Sequence, residues 1–157
     1  MEEIIYRPIG VIHSPFRSIE EMPIQPSGAQ DVLGTVEIEP EYADGLEGFS
    51  HIFLLYSFHL SKGYSLKIKP FLDENLHGMF ATRAPRRPNP IGISVVRLLG
   101  VEGCDLQIAD VDIIDGTPLL DIKPYVPEFD VREVERVGWL SRRADMAYEA
   151  RSDDRFT

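Results

Sequence analysis

FSHIFLLYSFHL, residues 49–60, is nearly continuous in apolar residues. Its length and its aromatic and aliphatic content predict a strand covered on both faces, at the centre of a sheet. His51 and His59 stand eight apart within it and share a face if the strand is regular. Further strands lie outward from this centre. Thr35–Ile38 alternates as a half-buried strand, and Tyr64–Lys69 alternates again. Gly92–Leu99 reads as a strand, Gly100–Asp105 as a turn region, and Leu106–Ile114 as the antiparallel partner. Ile4–Ser14 is a first strand rich in β-branched residues, with Pro8 marking an edge or a bulge, and Asp121–Tyr125 closes the core. Helical signals are few: a short turn from Pro40 to Leu46 ending at Gly48, and a helix from about Arg142 to Ala150 behind Ser141 as N-cap. No glycine-rich turn follows a strand and no βαβ alternation occurs, which argues against a doubly wound nucleotide-binding fold.

With 157 residues, 43% hydrophobic and 27% charged, the chain has the proportions of one globular domain. The expected unit is 1–157, with a core over about 4–125 and a docking segment over about 126–157. No apolar run reaches the roughly 18 residues that span a bilayer, and Met1-Glu2-Glu3 opens without a signal-peptide pattern. The expected location is the cytoplasm, with no membrane partner. Cys104 is the single cysteine, so no internal disulfide or cysteine-rich metal site can form. A buried structural role is expected for it. The formal net charge of −10 favours a small-molecule ligand over a polyanion, and DNA is not expected as a partner. The acidic residues cluster in Glu37–Glu41 and Glu128–Glu135, so the local field elsewhere can still be positive.

One such place is FATRAPRRPNPIGIS, residues 80–94, which sets Arg83, Arg86 and Arg87 beside Pro85, Pro88 and Pro90. Proline fixes φ, and each residue before one is pushed out of the α region, so the loop is stiff and non-helical. A stiff loop loses less entropy on binding, and arginine forks grip carboxylates and phosphates in bidentate fashion. On Leu106–Ile114, strict alternation puts Leu106, Ile108, Asp110 and Asp112 on one face, which turns acidic toward Asp115-Gly116-Thr117. No histidine or further carboxylate completes a metal set there, and no metal is expected.

Residues 80–94, with Leu46-Glu47-Gly48-Phe49-Ser50-His51 before them and Asp115–Tyr125 after, resemble the signature of the TsaA-like (TrmO) family. Three separated motifs in order make a specific resemblance, covering about Ile9 to about Tyr125. It implies a mainly β fold, a single-sheet antiparallel β-barrel with short peripheral helices, working as a homodimer. It also implies an S-adenosyl-L-methionine-dependent methyltransferase that acts on tRNA, at N6 of the threonylcarbamoyl adenosine beside the anticodon. Carried over residue by residue, the cofactor contacts are Pro23, Ile24, Gln25, His59, Leu60, Arg83, Ile93, Asp110, Val111 and Asp112. Ile24 stands where relatives carry arginine. Asp115 or His59 is the candidate base, and Arg86, Arg87 and Asn89 the candidate substrate contacts.

Two alternatives from other classes remain beside the resemblance. One is a non-catalytic S-adenosyl-L-methionine-binding module, and the other an RNA-binding barrel without a cofactor, against which the net charge argues. A methyltransferase with a different acceptor is the nearer competitor, because the motifs specify the cofactor better than the acceptor.

Overall fold

The structure is a computed structural model and describes residues 1–20, 22, 23 and 28–142. Its strands are β1 (Gly10–His13), β2 (Leu33–Ile38), β3 (His51–Ser57), β4 (Lys67–Ile68), β5 (His77–Gly78), β6 (Ile91–Glu102), β7 (Asp105–Ala109) and β8 (Thr117–Pro124). Six of them close into one antiparallel barrel in the order β1-β2-β7-β6-β3-β8, while β4 and β5 form a separate two-stranded ladder. Closure removes the unpaired edges that an open sheet of this size would expose. Each barrel strand sends at least one aliphatic side chain into the interior with no exposed surface: Ile12, Val36, Leu106, Val96, Leu54 and Leu119. The mainly β barrel implied by the resemblance is therefore the fold observed. Short helical pieces lie outside it, among them α1 (Pro127–Asp130) and single turns at Pro40–Ala43, Leu46–Gly48 and Met79–Ala81.

The central strand lies where the apolar run predicts it, paired with β6 on one side and β8 on the other. It is shorter than 49–60, and its faces differ. Ile52, Leu54 and Tyr56 are buried, whereas His51, Phe53, Leu55 and Ser57 are half-buried on the outer face. A barrel has one interior, so an apolar outer face does not require a second covering layer. His59 lies past the end of β3, in a turn where its N–H donates to the Ser57 carbonyl (2.8 Å), and is exposed.

Other boundaries move for local reasons. The first strand is Gly10–His13, not Ile4–Ser14, because Pro8 has no N–H to continue a ladder; Ile4, Ile5 and Tyr6 are exposed. Of Tyr64–Lys69, only Lys67 and Ile68 pair. Gly100 does not open a turn: β6 runs on to Glu102, with a register shift between Leu98 and Gly100. The reversal is the two-residue loop Gly103-Cys104, in which Gly103 takes φ 60°, the left-handed value a type II′ hairpin needs first. Cys104 is consequently exposed rather than buried. The helix expected over Arg142–Ala150 falls almost entirely outside the described residues.

Antiparallel order decides which loops share an end. His13 pairs with Thr35, Ser57 with Ile91, Leu33 with Ala109 and Ile12 with Thr117. The segments after β1, before β2, after β3, before β6 and between β7 and β8 therefore all leave one mouth. The nominated segments among the described residues belong to that mouth or open from it.

Candidate active site at one mouth of the barrel

The arginine loop begins at the turn Met79–Ala81 and is held by its own polar groups. Thr82 Oγ1 donates to the Met79 carbonyl (2.8 Å), and Arg87 Nη1 donates to the carbonyls of Thr82 (2.8 Å) and Ala84 (3.0 Å). Met79 and Ala84 are buried together with Ile68 in a small cluster of their own. At the far end of the loop the Pro90 carbonyl accepts the Phe58 N–H (2.7 Å), which ties the loop to the His59 turn. Arg83 and Asn89 are exposed and Arg86 is half-buried. Arg87 thus spends much of its guanidinium on the loop itself.

Behind the loop lies a buried chain of hydroxyls. Ser94 Oγ donates to Asp112 Oδ1 (2.6 Å), so Tyr56 Oη, 2.9 Å from Ser94 Oγ, must donate to the serine. Ser94 and Tyr56 are buried, and the ring of Tyr56 lies over Gly92, where any Cβ would come within 2.3 Å of it. Glycine in the PIGIS stretch therefore makes room for the ring. Burial pushes the Asp112 carboxyl up to about 7, against the lowering effects of the Ser94 bond, its own backbone N–H and the positive charge of Arg83. Burial, and then the Asp112 charge, raise the Tyr56 phenol well above its ordinary range, so it stays protonated.

Asp110 does not share a face with Asp112. It takes a positive φ of 68°, which ends β7 and breaks the alternation, so Val111 and Ile113 turn into the core instead. Its carboxylate accepts from Arg97 Nε (2.8 Å) and Nη2 (3.1 Å) and from the Asp31 N–H (2.8 Å). The Arg97 bond holds the Asp110 carboxyl below the usual range, despite some desolvation. Arg97 also pairs with the Asp31 carboxylate, so this cluster fastens the chain ahead of β2 to the end of β7.

The remaining nominated residues are dispersed around the mouth. Pro23 is buried, while Ile24 and Gln25 fall outside the described residues. His59 and Leu60 are exposed beyond β3. Ile93 lies on the outer face, 51% exposed, because it alternates with the inward Ser94. Asp115 is engaged on the β1 side, accepting the Ser14 N–H (3.1 Å) with His13 Nδ1 at 3.4 Å. Tyr56, Ser94, Arg97 and Asp31 were not nominated from the sequence. A signal existed for Ser94, a polar residue in an inward slot between Gly92 and Val96. Among the described residues no three His, Cys, Asp or Glu side chains converge as a metal site.

A closed barrel with an arginine-bearing loop and a half-buried acid at one mouth defines a small class of ligand-binding barrels. The match to known proteins makes the class specific. Residues 11–131 fit the family model described as the tRNA-methyltransferase O N-terminal domain, and the chain belongs to that family. It is 60% identical over 156 residues to a probable S-adenosyl-L-methionine-binding protein of Pyrococcus abyssi, covering 98% of this chain and 85% of the relative. It is 38% identical over 137 residues to the tRNA (adenine(37)-N6)-methyltransferase of Homo sapiens, covering 81% of this chain and 31% of that protein. Among solved structures, TrmO from Pseudomonas aeruginosa superposes with a TM-score of 0.73 at 40% identity, over 88% of this chain and 63% of that one.

Proposed function

We propose that this chain is an S-adenosyl-L-methionine-dependent methyltransferase, and that its acceptor is N6 of threonylcarbamoyl adenosine in the tRNA anticodon loop. The observation that carries the reading is the exposed Arg83, on the loop that leads into β6 at the mouth that also holds Asp112. The two lie within Coulombic reach, since Arg83 lowers the Asp112 carboxyl. An exposed guanidinium there fits the carboxylate of the cofactor's amino-acid moiety. The cofactor, when bound, supplies an activated methyl group. Pro23, His59 and Leu60 would flank it, Arg86 and Arg87 would hold the threonyl carboxylate or a phosphate, and Asn89 would contact the same substrate. The test is calorimetric titration with S-adenosyl-L-methionine, followed by methyl transfer to tRNA carrying or lacking the threonylcarbamoyl group. Cofactor binding without transfer to either RNA would leave a binding module instead.

The acceptor nitrogen is conjugated with a carbonyl and a purine ring, so its proton must leave. Asp115 is already committed to Ser14 and His13, and His59 is exposed in a turn, which leaves Asp112 as the acid best tuned for that proton. With its carboxyl near 7, kcat/KM should rise with pH through that value and then level off. Asp112→Asn should lower the rate by about 100-fold or more and flatten the acid limb. Stability follows the opposite sign. An unfolded aspartate titrates near about 3.9, so between there and about 7 the folded chain holds a proton the unfolded chain has lost. Stability should fall as pH rises across that window, and the asparagine variant should lose the slope. An unchanged profile in both measurements would remove Asp112 from the mechanism.

A second copy of the chain is the partner we propose for the outer face of β3 and β6, where Ile91 and Ile93 are 43% and 51% exposed beside Phe53 and Leu55. Ile93→Asp should convert the dimer to monomer in sedimentation velocity, with the barrel still folded by circular dichroism.

A further inference from the structure

The arginine loop carries a side chain that the cofactor site leaves unused. Phe80 sits in the turn Met79–Ala81 and is 77% exposed, a large apolar ring at the mouth end of the molecule. It is not a loosely held surface residue. Its neighbour Met79 is buried, the Met79 carbonyl takes the Thr82 hydroxyl (2.8 Å), and Trp139 Nε1 donates to the Ala81 carbonyl (2.7 Å). Trp139 in turn stacks on His77 at 4.6 Å, and His77 Nε2 is bonded to Asp73 Oδ2 (2.9 Å). The turn is thus fastened on both sides of the ring it displays.

One face of that ring is covered by a guanidinium. Arg87 Cζ lies 5.5 Å from the Phe80 centroid, and Arg87 is fixed there by its bonds to the Thr82 and Ala84 carbonyls. The residue stays largely open to solvent despite that cover, and Arg83 and Arg86 follow on the same loop. An exposed aromatic ring on a fastened turn, with one arginine against it and two more on the same loop, in a chain of net charge −10, is the local chemistry of a single-stranded nucleic-acid platform. We infer that the exposed ring of Phe80 stacks an unpaired RNA base, while the neighbouring arginines meet the phosphates beside it. This rests on the tRNA reading above and adds to it the residue that holds the loop nucleotide open.

The probe is a short RNA hairpin with 2-aminopurine in its loop, titrated with the wild-type protein, Phe80→Ala and Phe80→Trp. Stacking predicts fluorescence quenching on binding by wild type and Phe80→Trp. For Phe80→Ala it predicts loss of the quench and RNA affinity weakened between about 5-fold and 150-fold. S-adenosyl-L-methionine affinity by calorimetry and the sedimentation coefficient should not change. RNA binding by Phe80→Ala equal to wild type overturns the inference and leaves the methyltransferase reading intact. Loss of cofactor affinity with RNA affinity retained overturns it by assigning the ring to the cofactor's own adenine. An altered sedimentation coefficient overturns it by making Phe80 a contact between copies. Failure of the wild type to bind RNA while it binds cofactor removes this inference together with the tRNA acceptor, but not the cofactor site.

Discussion

Arg83→Ala is expected to weaken S-adenosyl-L-methionine binding by about 10-fold to 100-fold, as befits the loss of one charge-assisted bond to a carboxylate. Because Arg83 is exposed and outside both apolar clusters, the melting temperature should hardly move. A second effect separates this from general damage to the loop. Arg83 is one of the groups that lower the Asp112 carboxyl, so its removal lets burial push that acid further up. The pH–rate profile of the variant should therefore shift toward higher pH. Arg83→Lys should restore most of the profile, because it keeps the charge, but little of the affinity, because it lacks the fork. Cofactor affinity equal to wild type in the alanine variant would remove Arg83 from the site.

Gly92→Ala is expected to destabilise the fold at the site itself. The added Cβ would stand 2.3 Å from Tyr56 Cε2, 2.6 Å from Tyr56 Cζ and 2.9 Å from Phe58 Cζ. These atoms belong to rings set nearly perpendicular at 5.5 Å from each other, so neither can tilt away without disturbing its neighbour. Overpacking of this kind costs about 1–3 kcal/mol, or roughly 2–4 °C in melting temperature for each kcal/mol in a chain of this size. Tyr56 would be driven off Ser94, leaving the serine without its donor and loosening its hold on Asp112. Wild-type stability and an unshifted pH profile in this variant would show that the hydroxyl chain is not coupled to Gly92. A companion Tyr56→Phe variant isolates the chain from the steric effect, since it deletes the hydroxyl and keeps the ring.

Much of the barrel is legible because its strands obey a period of two around a single interior. The run 49–60 locates β3, and Gly92–Leu99 locates most of β6. Pattern fails where backbone conformation overrides it. Asp110 looks like one more alternating residue, yet its positive φ rotates the next three positions and separates it from Asp112. Gly100 and Gly103 are indistinguishable in composition, but one relieves a bulge and the other makes the turn. For the site, proline and arginine spacing exposes the loop, because those residues act locally. The chain Tyr56, Ser94 and Asp112 is not legible in the same way. Its members are 38 and 18 positions apart, and only the β3–β6 register and the break at Asp110 bring them together.

Closure of the barrel has a consequence for how the chain acquires its shape. The final seam joins Gly10–His13 to Thr117–Pro124, so more than a hundred residues separate its two sides. The β6–β7 hairpin can form as soon as both its strands have left the ribosome, whereas the edge of β1 turned away from β2 must wait for β8. During synthesis β1 and β8 are therefore the unpaired rims of an open sheet, and this interval is when the nascent chain is most exposed to pairing with another copy. Topology of this kind folds slowly for its size, and the step that ends the vulnerable period is the arrival of Thr117–Leu119 against Gly10–Ile12.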